Sequence, residues 1–284
     1  MNEALDPKWG ELNAFHDPYA LANFQARSSD VLITTAPKAG TTWMQHILHQ
    51  LKTGGDASFH SIFDEVPWLE WPIEGVTWQE RLAGYEKINA PRIFKTHCTY
   101  EQTPGVDTVK VVLTSRDPRD CCISFHHHLN DLTDEVCEKF SISRSGSFDE
   151  YFEDWMDFGA WFRNVKSWWP HYNDDNVLWL RYEDMKADFK KSIDQIIHFL
   201  DWSVSDEQQL RAMEYSSFEW MKAHSEKFTV HSGHEKPMFK PGGFIRKGQV
   251  GDHKNTLSSE QSDRIIARAK SELEPACFSF LGLE

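Results

Sequence analysis

The sequence predicts an α/β fold: a single domain with a central parallel sheet flanked by helices. Short apolar segments alternate with amphipathic helical patterns along most of the chain, as in sheets covered on both faces. The chain has 284 residues, 40% of them hydrophobic, which is enough to bury one large core. Polar side chains follow four of the apolar segments, and ligands of parallel sheets bind at the carboxyl ends of strands. We therefore expect one domain over residues 1–284, with its site at that edge.

The strands and helices follow from the spacing of apolar residues. The predicted strands are residues 30–35, 92–96, 108–114 and 177–181. A helix beginning near Thr41 has Met44, Ile47, Leu48 and Leu51 on one face. Further helices are predicted at residues 118–129, at 148–169 in two pieces, at 189–200 and near 265–273. The longest stretch without periodicity is 226–244.

Composition and charge exclude several classes of protein. The net charge of −14 argues against a nucleic-acid partner. No apolar run approaches the ~18 residues of a membrane span, and the first residues lack the basic and apolar regions of a signal peptide. Five cysteines, an odd number without a C-x-x-C pair, favour reduced thiols over disulfides or zinc. We expect a cytoplasmic protein with no membrane association.

Residues 35–43, Thr-Ala-Pro-Lys-Ala-Gly-Thr-Thr-Trp, join the first strand to the first long helix. A tight turn before a helix N-terminus binds anions, because free backbone N–H groups and the helix dipole both favour phosphate. An ordinary strand-to-helix turn is the alternative. The P-loop of kinases does not fit, because its lysine directly follows the second glycine, whereas here Thr41 follows Gly40 and the lysine is Lys38.

This segment resembles the phosphosulfate-binding loop of the cytosolic-type sulfotransferases, which use 3′-phosphoadenosine 5′-phosphosulfate (PAPS). Ala36 and Ala39 replace the usual Tyr and Ser. Other family motifs follow in the same order: Phe94–His97 (F-K-T-H), Thr114–Phe125, Arg181–Asp184, Ser216–Met221 and Arg246–Asn255 (R-K-G-x-x-G-D-x-K-N), with His253 in place of Trp.

The resemblance implies in-line transfer of a sulfuryl group from PAPS to a hydroxyl or amine of a small acceptor, with 3′-phosphoadenosine 5′-phosphate (PAP) as product. The implied catalytic residues are the general base His97 together with Lys38, Lys95 and Ser124. The implied nucleotide-binding residues are Lys38, Ala39, Gly40, Thr41, Thr42, Trp43, Arg116, Ser124, Tyr182, Ser217, Phe218, Met221, Arg246, Lys247 and Gly248. Because Lys38 would neutralise the charge on the departing oxygen and Lys95 that on the sulfuryl oxygens, we expect no metal requirement. A small-molecule kinase and a silent binding protein of this fold are the alternatives, and the Lys38 spacing and the presence of His97 argue against them.

The resemblance also implies that residues 56–85 form much of the acceptor pocket. The acids in this segment are Asp64, Glu65, Glu70 and Glu74. They either belong to a solvated loop or attract a polar or cationic acceptor. Residues 133–147 are polar enough to form a mobile cover over the site.

Two groups of histidines invite a chemical interpretation. Three consecutive histidines, 126–128, cannot converge on one metal from a helix, although one of them can line the acceptor pocket. An acceptor-facing role is open for His46 and His49. The family's dimerisation motif would start at Lys254 and matches poorly, which leaves the oligomeric state open.

Overall fold

The computed structural model describes residues 5–229, 238–240 and 243–284. Its strands are β1 (Val31–Ile33), β2 (Ile93–Lys95), β3 (Lys110–Ser115) and β4 (Val177–Arg181). All pairings are parallel and the strand order is β2-β1-β3-β4. The α/β fold predicted from the sequence is confirmed, and the first two strands are shorter than predicted.

Helices cover the sheet and fill most connections. They are α1 (Pro18–Asn23), α2 (Thr41–Thr53), α3 (Ile62–Glu65), α4 (Trp78–Tyr85), α5 (Pro118–Asn130), α6 (Asp134–Lys139), α7 (Phe148–Phe158), α8 (Ala160–Trp168), α9 (Tyr182–Ala187), α10 (Phe189–Leu200), α11 (Asp206–Tyr215), α12 (Phe218–Ala223), α13 (Ser259–Glu272) and α14 (Pro275–Phe280). Short 3₁₀ turns occur at Pro7–Trp9, Trp169–His171, Ser225–Phe228 and Asp252–Asn255. The predicted division of residues 148–169 is confirmed, because Gly159 adopts φ of 57° and ends α7.

The core lies on both faces of the sheet, because successive strand side chains point to opposite sides. Leu32 packs with Phe94, Trp168 and other buried residues on one face. Val31 and Ile33 pack on the other face against α2 and α10. The predicted apolar face of α2 is confirmed: its members Met44, Ile47, Leu48 and Leu51 are all buried. Burying each of these side chains contributes about 1.5–3 kcal/mol.

A buried ion pair joins the amino ends of β1 and β2. Arg92 donates from Nε to Asp30 at 2.9 Å and from Nη2 to the same carboxylate at 2.6 Å. Both side chains are completely buried. The pair fixes the start of the two strands whose other ends carry the phosphate loop and the F-K-T-H motif.

None of the helices in the described ranges combines the length and the apolarity needed to cross a membrane.

Candidate active site

A cleft of about 1140 Å³ runs along the carboxyl edge of the sheet. Its wall includes a polar side chain from beyond each strand: Lys38 after β1, His97 after β2, Arg116 after β3 and Tyr182 after β4. Parallel strands present their carboxyl ends at one edge, so residues far apart in the sequence meet there.

The loop from β1 to α2 has left-handed backbone at two positions, with φ of 67° at Lys38 and 103° at Gly40. A Cβ on Gly40 would lie 3.1 Å from Cδ2 of Tyr182, so space as well as φ favours glycine there. Lys38 adopts this region at a cost of about 1–3 kcal/mol. A hydrogen bond between the hydroxyls of Thr35 and Thr41 closes the loop.

The N-terminus of α2 faces the cleft through Thr41, Thr42 and Trp43. No side chain of the described residues caps this terminus. Free N–H groups and the helix dipole therefore offer an anion site beside Lys38.

Two lysines bring positive charge into the middle of the cleft. Burial lowers the pKa of Lys38 to about 8, and the positive charge of Arg116 adds to the shift. Burial lowers the pKa of Lys95 to about 7, although the Glu70 carboxylate opposes this shift. Lys95 Nζ lies 3.6 Å from the centre of the Trp68 ring, a cation–π contact. Both lysines therefore titrate close to neutral pH.

His97 is held in one tautomer. Its Nδ1 lies 2.6 Å from the carbonyl oxygen of Thr35. Because a carbonyl only accepts, Nδ1 carries the proton and Nε2 is the bare nitrogen. Nε2 lies 3.4 Å from Lys95 Nζ. Burial and the charge of Lys95 lower the pKa of His97 to about 3, so the ring is neutral and Nε2 is free to accept a proton.

Glu70 holds the backbone around His97 in place. It is 2% exposed, and its Oε1 accepts hydrogen bonds from the backbone N–H of His97 at 3.1 Å and from the hydroxyl of Thr96 at 3.0 Å. Its other oxygen, Oε2, is buried with no hydrogen-bond partner among the described residues. The carboxylate thus anchors the backbone that carries the imidazole.

The loop of residues 246–255 docks on α5 through Asp120. This carboxylate accepts from the backbone N–H of Gly251 at 2.7 Å and from the backbone N–H and Nδ1 of His253 at 3.0 and 2.8 Å. Arg116 donates to a backbone carbonyl of the same loop at 2.7 Å. Its Nε is buried without a partner in the part of the chain described, which leaves a donor for an anion.

Arg246 and Lys247 line the cleft from this loop. Each is paired with Asp252, at 2.6 and 2.9 Å. Burial opposes ionisation of Asp252, but hydrogen bonds from Lys247 and Arg246 outweigh it and lower its pKa to about 2. Gly248 adopts φ of 59°, and a Cβ there would lie 2.7 Å from Cδ2 of Phe218. The basic loop therefore packs tightly on α12.

Trp43 is fixed at the same end of the cleft. Its ring stacks on Phe189 with centroids 5.1 Å apart, and Nε1 donates to the carbonyl of Ser216 at 2.9 Å. Tyr182 meets its ring edge-on at 5.5 Å. An indole held in this way offers a rigid flat surface.

The opposite end of the cleft has an aromatic wall, formed by Phe63, Trp68, Trp71, Phe140, Phe239 and Phe244. Residues 133–147, which contain α6, contribute Phe140 to this wall and Ile142 to the lining of the cleft beside it. The N–H of Thr133 donates to the carbonyl of Met238 at 2.9 Å, which joins this segment to residues 238–240. Part of the non-periodic stretch 226–244 lies outside the described residues.

Comparison with known proteins identifies the family. Residues 28–274 match the family model of the sulfotransferase domain. The chain belongs to the sulfotransferase family. Sulfotransferase 1A1 of Rattus norvegicus is 32% identical to it, over 92% of this chain and 90% of the relative. Sulfotransferase 1E1 of Homo sapiens is 30% identical, over 90% of this chain and 88% of the relative.

A solved structure agrees with this assignment. The mouse sulfotransferase SULT7A1 complexed with PAP matches with a TM-score of 0.70 and 25% identity, over 90% of this chain and 89% of the mouse chain. The protein is thus a PAPS-dependent sulfotransferase that acts on small-molecule acceptors.

Most residues predicted for the sulfotransferase site line the cleft. They are Lys38, Gly40, Thr41, Thr42, Trp43, Lys95, His97, Arg116, Ser124, Tyr182, Phe218, Met221, Arg246, Lys247 and Gly248. Ala39 and Ser217 do not. The N–H of Ala39 donates to the carbonyl of Ala36 at 3.2 Å. Ser217 caps α12, its hydroxyl accepting from the N–H of Trp220 at 3.2 Å.

The acceptor-side predictions are only partly supported. Of the four acids in residues 56–85, Glu70 lines the cleft, whereas Asp64, Glu65 and Glu74 are exposed outside it. Phe63, Trp68 and Trp71 line the cleft as well, but Phe59 and Leu69 belong to the core and Trp78 begins α4.

The histidines also separate into two groups. His128 lines the cleft, but His46 and His49 are buried against Phe59 in the core, which excludes the acceptor-facing role that the sequence left open for them. His126 bonds to the amide nitrogen of Asn130 at 2.9 Å. Within the described ranges, no three His, Cys, Asp or Glu side chains are grouped to hold a metal ion.

One positioning residue was missed from the sequence. Asn164 is 4% exposed and donates to the carbonyls of Thr34 at 3.1 Å and Cys98 at 3.0 Å, which joins the segments that follow β1 and β2. The sequence did carry a signal for this role. Asn164 lies between Trp161 and Trp168 on the apolar face of α8, and a buried amide needs hydrogen-bond partners.

Proposed function

We propose that this sulfotransferase moves the sulfuryl group of PAPS in line to a hydroxyl or amine of a small acceptor, with His97 as general base. The observation that carries the proposal is the bond from His97 Nδ1 to the carbonyl of Thr35, 2.6 Å, which leaves Nε2 bare beside Lys95. This bond holds the proposed base and the phosphate loop in a fixed position relative to each other.

The charges of the cleft support binding of a 3′,5′-bisphosphate nucleotide. Lys38 and the N-terminus of α2 bind the 5′-phosphosulfate end. Arg116, Ser124, Arg246, Lys247 and Gly248 bind the 3′-phosphate. Trp43 and the residues Tyr182, Phe218 and Met221 hold the adenine. The free Nε of Arg116 supports this assignment because a buried guanidinium donor needs a partner.

In the reaction, the acceptor oxygen or nitrogen forms a bond to sulfur as the bond from sulfur to the phosphate oxygen breaks. His97 Nε2 takes the acceptor's proton. Lys38 donates to the departing phosphate oxygen and Lys95 to the sulfuryl oxygens, where negative charge increases. Bound PAPS is an anion, so it raises the pKa of His97 from about 3 towards the range of a useful base. With two lysines in these roles, the proposal requires no metal ion.

The acceptor that fits best has a flat apolar body and a polar group to be sulfated, because aromatic side chains form the wall beyond His97. For a cationic acceptor, Glu70 is the attracting group at the base, but Lys38 and Lys95 oppose it. Neutral polar acceptors are therefore proposed ahead of cationic ones.

A cytoplasmic location belongs to the proposal, since all five cysteines are unpaired and buried.

The test is an assay with labelled PAPS against phenols, alcohols, amines and sugars, with and without a metal chelator. We expect transfer to at least one neutral hydroxyl compound, unaffected by the chelator. Calorimetry should give tighter binding of PAP than of ATP. Equal affinity for PAP and ATP would contradict the nucleotide assignment and restore the kinase alternative. Tight PAP binding without transfer to any acceptor would indicate a silent binding protein.

A further inference from the structure

A second histidine, His128 on α5, lines the acceptor side of the cleft. Its Nδ1 lies 3.0 Å from Lys38 Nζ. Its ring packs beside Phe239 and Phe244, with centroids 4.8 and 5.9 Å apart. His128 therefore lies between Lys38 and the aromatic wall.

The contact with Lys38 determines where the His128 ring carries its proton. An ammonium group only donates, so Nδ1 of His128 must accept and be bare. Burial, followed by the charges of Lys38 and Lys95, lowers the pKa of His128 well below 6.5, which keeps the ring neutral. A neutral imidazole has one N–H, and in His128 it is therefore Nε2–H.

The two imidazoles of the cleft thus have opposite tautomers. His97 offers a bare Nε2, whereas His128 offers an Nε2–H that no described residue accepts. An ammonium group has three N–H donors, so Lys38 can keep its bond to His128 while another N–H points to the departing oxygen. The donor on His128 is therefore available while the reaction proceeds.

We propose that His128 is a specificity-determining residue whose Nε2–H donates to a second oxygen of the acceptor, next to the hydroxyl that is sulfated. His128 lies 3.0 Å from Lys38, which acts on the departing phosphate oxygen, and His97 lies 3.4 Å from Lys95, which acts on the oxygens of the sulfuryl group bonded to it. The two oxygens therefore belong to neighbouring positions of one small molecule. Preferred acceptors carry an ether, carbonyl or hydroxyl oxygen beside the reacting hydroxyl. This inference rests on the proposed function and names the substrate class of the same site.

The experiment compares matched acceptor pairs with the full chain and PAPS. The pairs are phenol with 2-methoxyphenol, and cyclohexanol with trans-2-methoxycyclohexanol. Wild type should prefer the methoxy member of each pair about threefold to tenfold in kcat/KM, the usual effect of one hydrogen bond. His128→Phe should bring this ratio close to one, and His128→Asn, which keeps an N–H donor, should retain part of it. His127→Phe is the matched control, since His127 does not line the cleft.

The ratio of kcat/KM within each pair separates specificity from effects on Lys38. An effect on Lys38 changes kcat/KM for both acceptors by the same factor and leaves the ratio unchanged. A wild-type enzyme that sulfates both members equally well would overturn the inference while leaving the proposed function intact. So would a His128→Phe variant that is slower with both members but keeps their ratio. Transfer to no acceptor at all removes the proposed function, and the inference with it. PAP binding checks that each variant is folded, and His128→Leu provides the same comparison if the Phe variant does not fold.

Discussion

The His97 imidazole donates from Nδ1 to the carbonyl oxygen of Thr35, 2.6 Å away, and so joins the residue after β2 to the loop after β1. Thr35 is three residues before Lys38. His97 and Lys38 are therefore attached to one short piece of backbone. Such a link keeps the bare Nε2 in a constant position relative to the phosphate loop, as the proposed in-line transfer requires.

Replacing His97 should affect chemistry far more than nucleotide binding. We expect His97→Ala to lower kcat/KM by about 10²–10⁴-fold, the usual contribution of a general base. PAP affinity should change little, since the proposed phosphate contacts come from other residues. Steady-state assays with labelled PAPS and calorimetry with PAP measure the two effects. His127→Ala is the control, and activity of His97→Ala within about tenfold of wild type would remove His97 from the mechanism.

The affinity for PAP should fall as the pH rises from 7 to 9. With no nucleotide bound, Lys95 and Lys38 have pKa values of about 7 and about 8, so both lose positive charge across this range. A bound anion raises both values, so binding above pH 7 takes up protons and becomes weaker. We expect a loss of about tenfold or more between pH 7 and 9.

Calorimetry in buffers with different heats of ionisation measures the proton uptake directly. Lys38→Met should weaken PAP binding at pH 7 and make the loss between pH 7 and 9 smaller. An affinity for PAP that is constant between pH 7 and 9 would show that neither lysine titrates as the structure indicates.

The fold was largely predictable because its main signals are local. The apolar face of α2 and the alternation of strands with helices follow from the spacing of residues such as Met44 and Ile47, which burial enforces. The division of residues 148–169 into two helices was also predicted, and it falls at Gly159 because glycine readily adopts a positive φ. Strand ends were less certain because hydrogen-bond partners in the neighbouring strands determine them.

The site was predictable where motifs carry it and not where it depends on contacts between distant segments. Lys38, Lys95 and His97 lie in recognisable motifs. The bond between Lys38 and His128 joins residues 90 positions apart, and no sequence period reports it. The role of Glu70 in holding His97 depends on a contact across 27 positions. The role of His46 stayed open at the sequence level, because its packing against Phe59 depends on a contact that no sequence period reports.

Gly248 should be required for nucleotide binding. Its φ is 59°, and an added Cβ would lie 2.7 Å from Cδ2 of Phe218, so Gly248→Ala must displace either the basic loop or α12. We expect PAP affinity to fall about tenfold or more, since a shift of this kind disturbs several contacts. Gly75→Ala is the matched control, because Gly75 has φ of 73° but nothing within 4 Å of an added Cβ. Equal PAP affinities for the two variants would mean that the contact with Phe218 is unimportant.

The buried pair of Arg92 and Asp30 should dominate the stability of the strands beneath the site. Arg92→Met leaves the Asp30 carboxylate buried without its main partner, which costs about 3–5 kcal/mol in the free energy of unfolding. Urea unfolding followed by circular dichroism measures it. Arg264→Met is the control: Arg264 also makes two bonds to one carboxylate, that of Glu153, at 2.6 and 2.7 Å, but both side chains are exposed and the loss should be small.

A double variant separates the missing charge partner from the loss of packing. In Arg92→Met with Asp30→Leu, apolar side chains replace both charges, and much of the lost stability should return because no buried charge is left unpaired. If Arg92→Met lowered the free energy of unfolding no more than Arg264→Met does, the buried pair would stabilise the protein no more than an exposed ion pair. If the single variant were damaging and the double variant worse still, the ion pair itself would be the stabilising element, because packing alone would then fail to join β1 to β2.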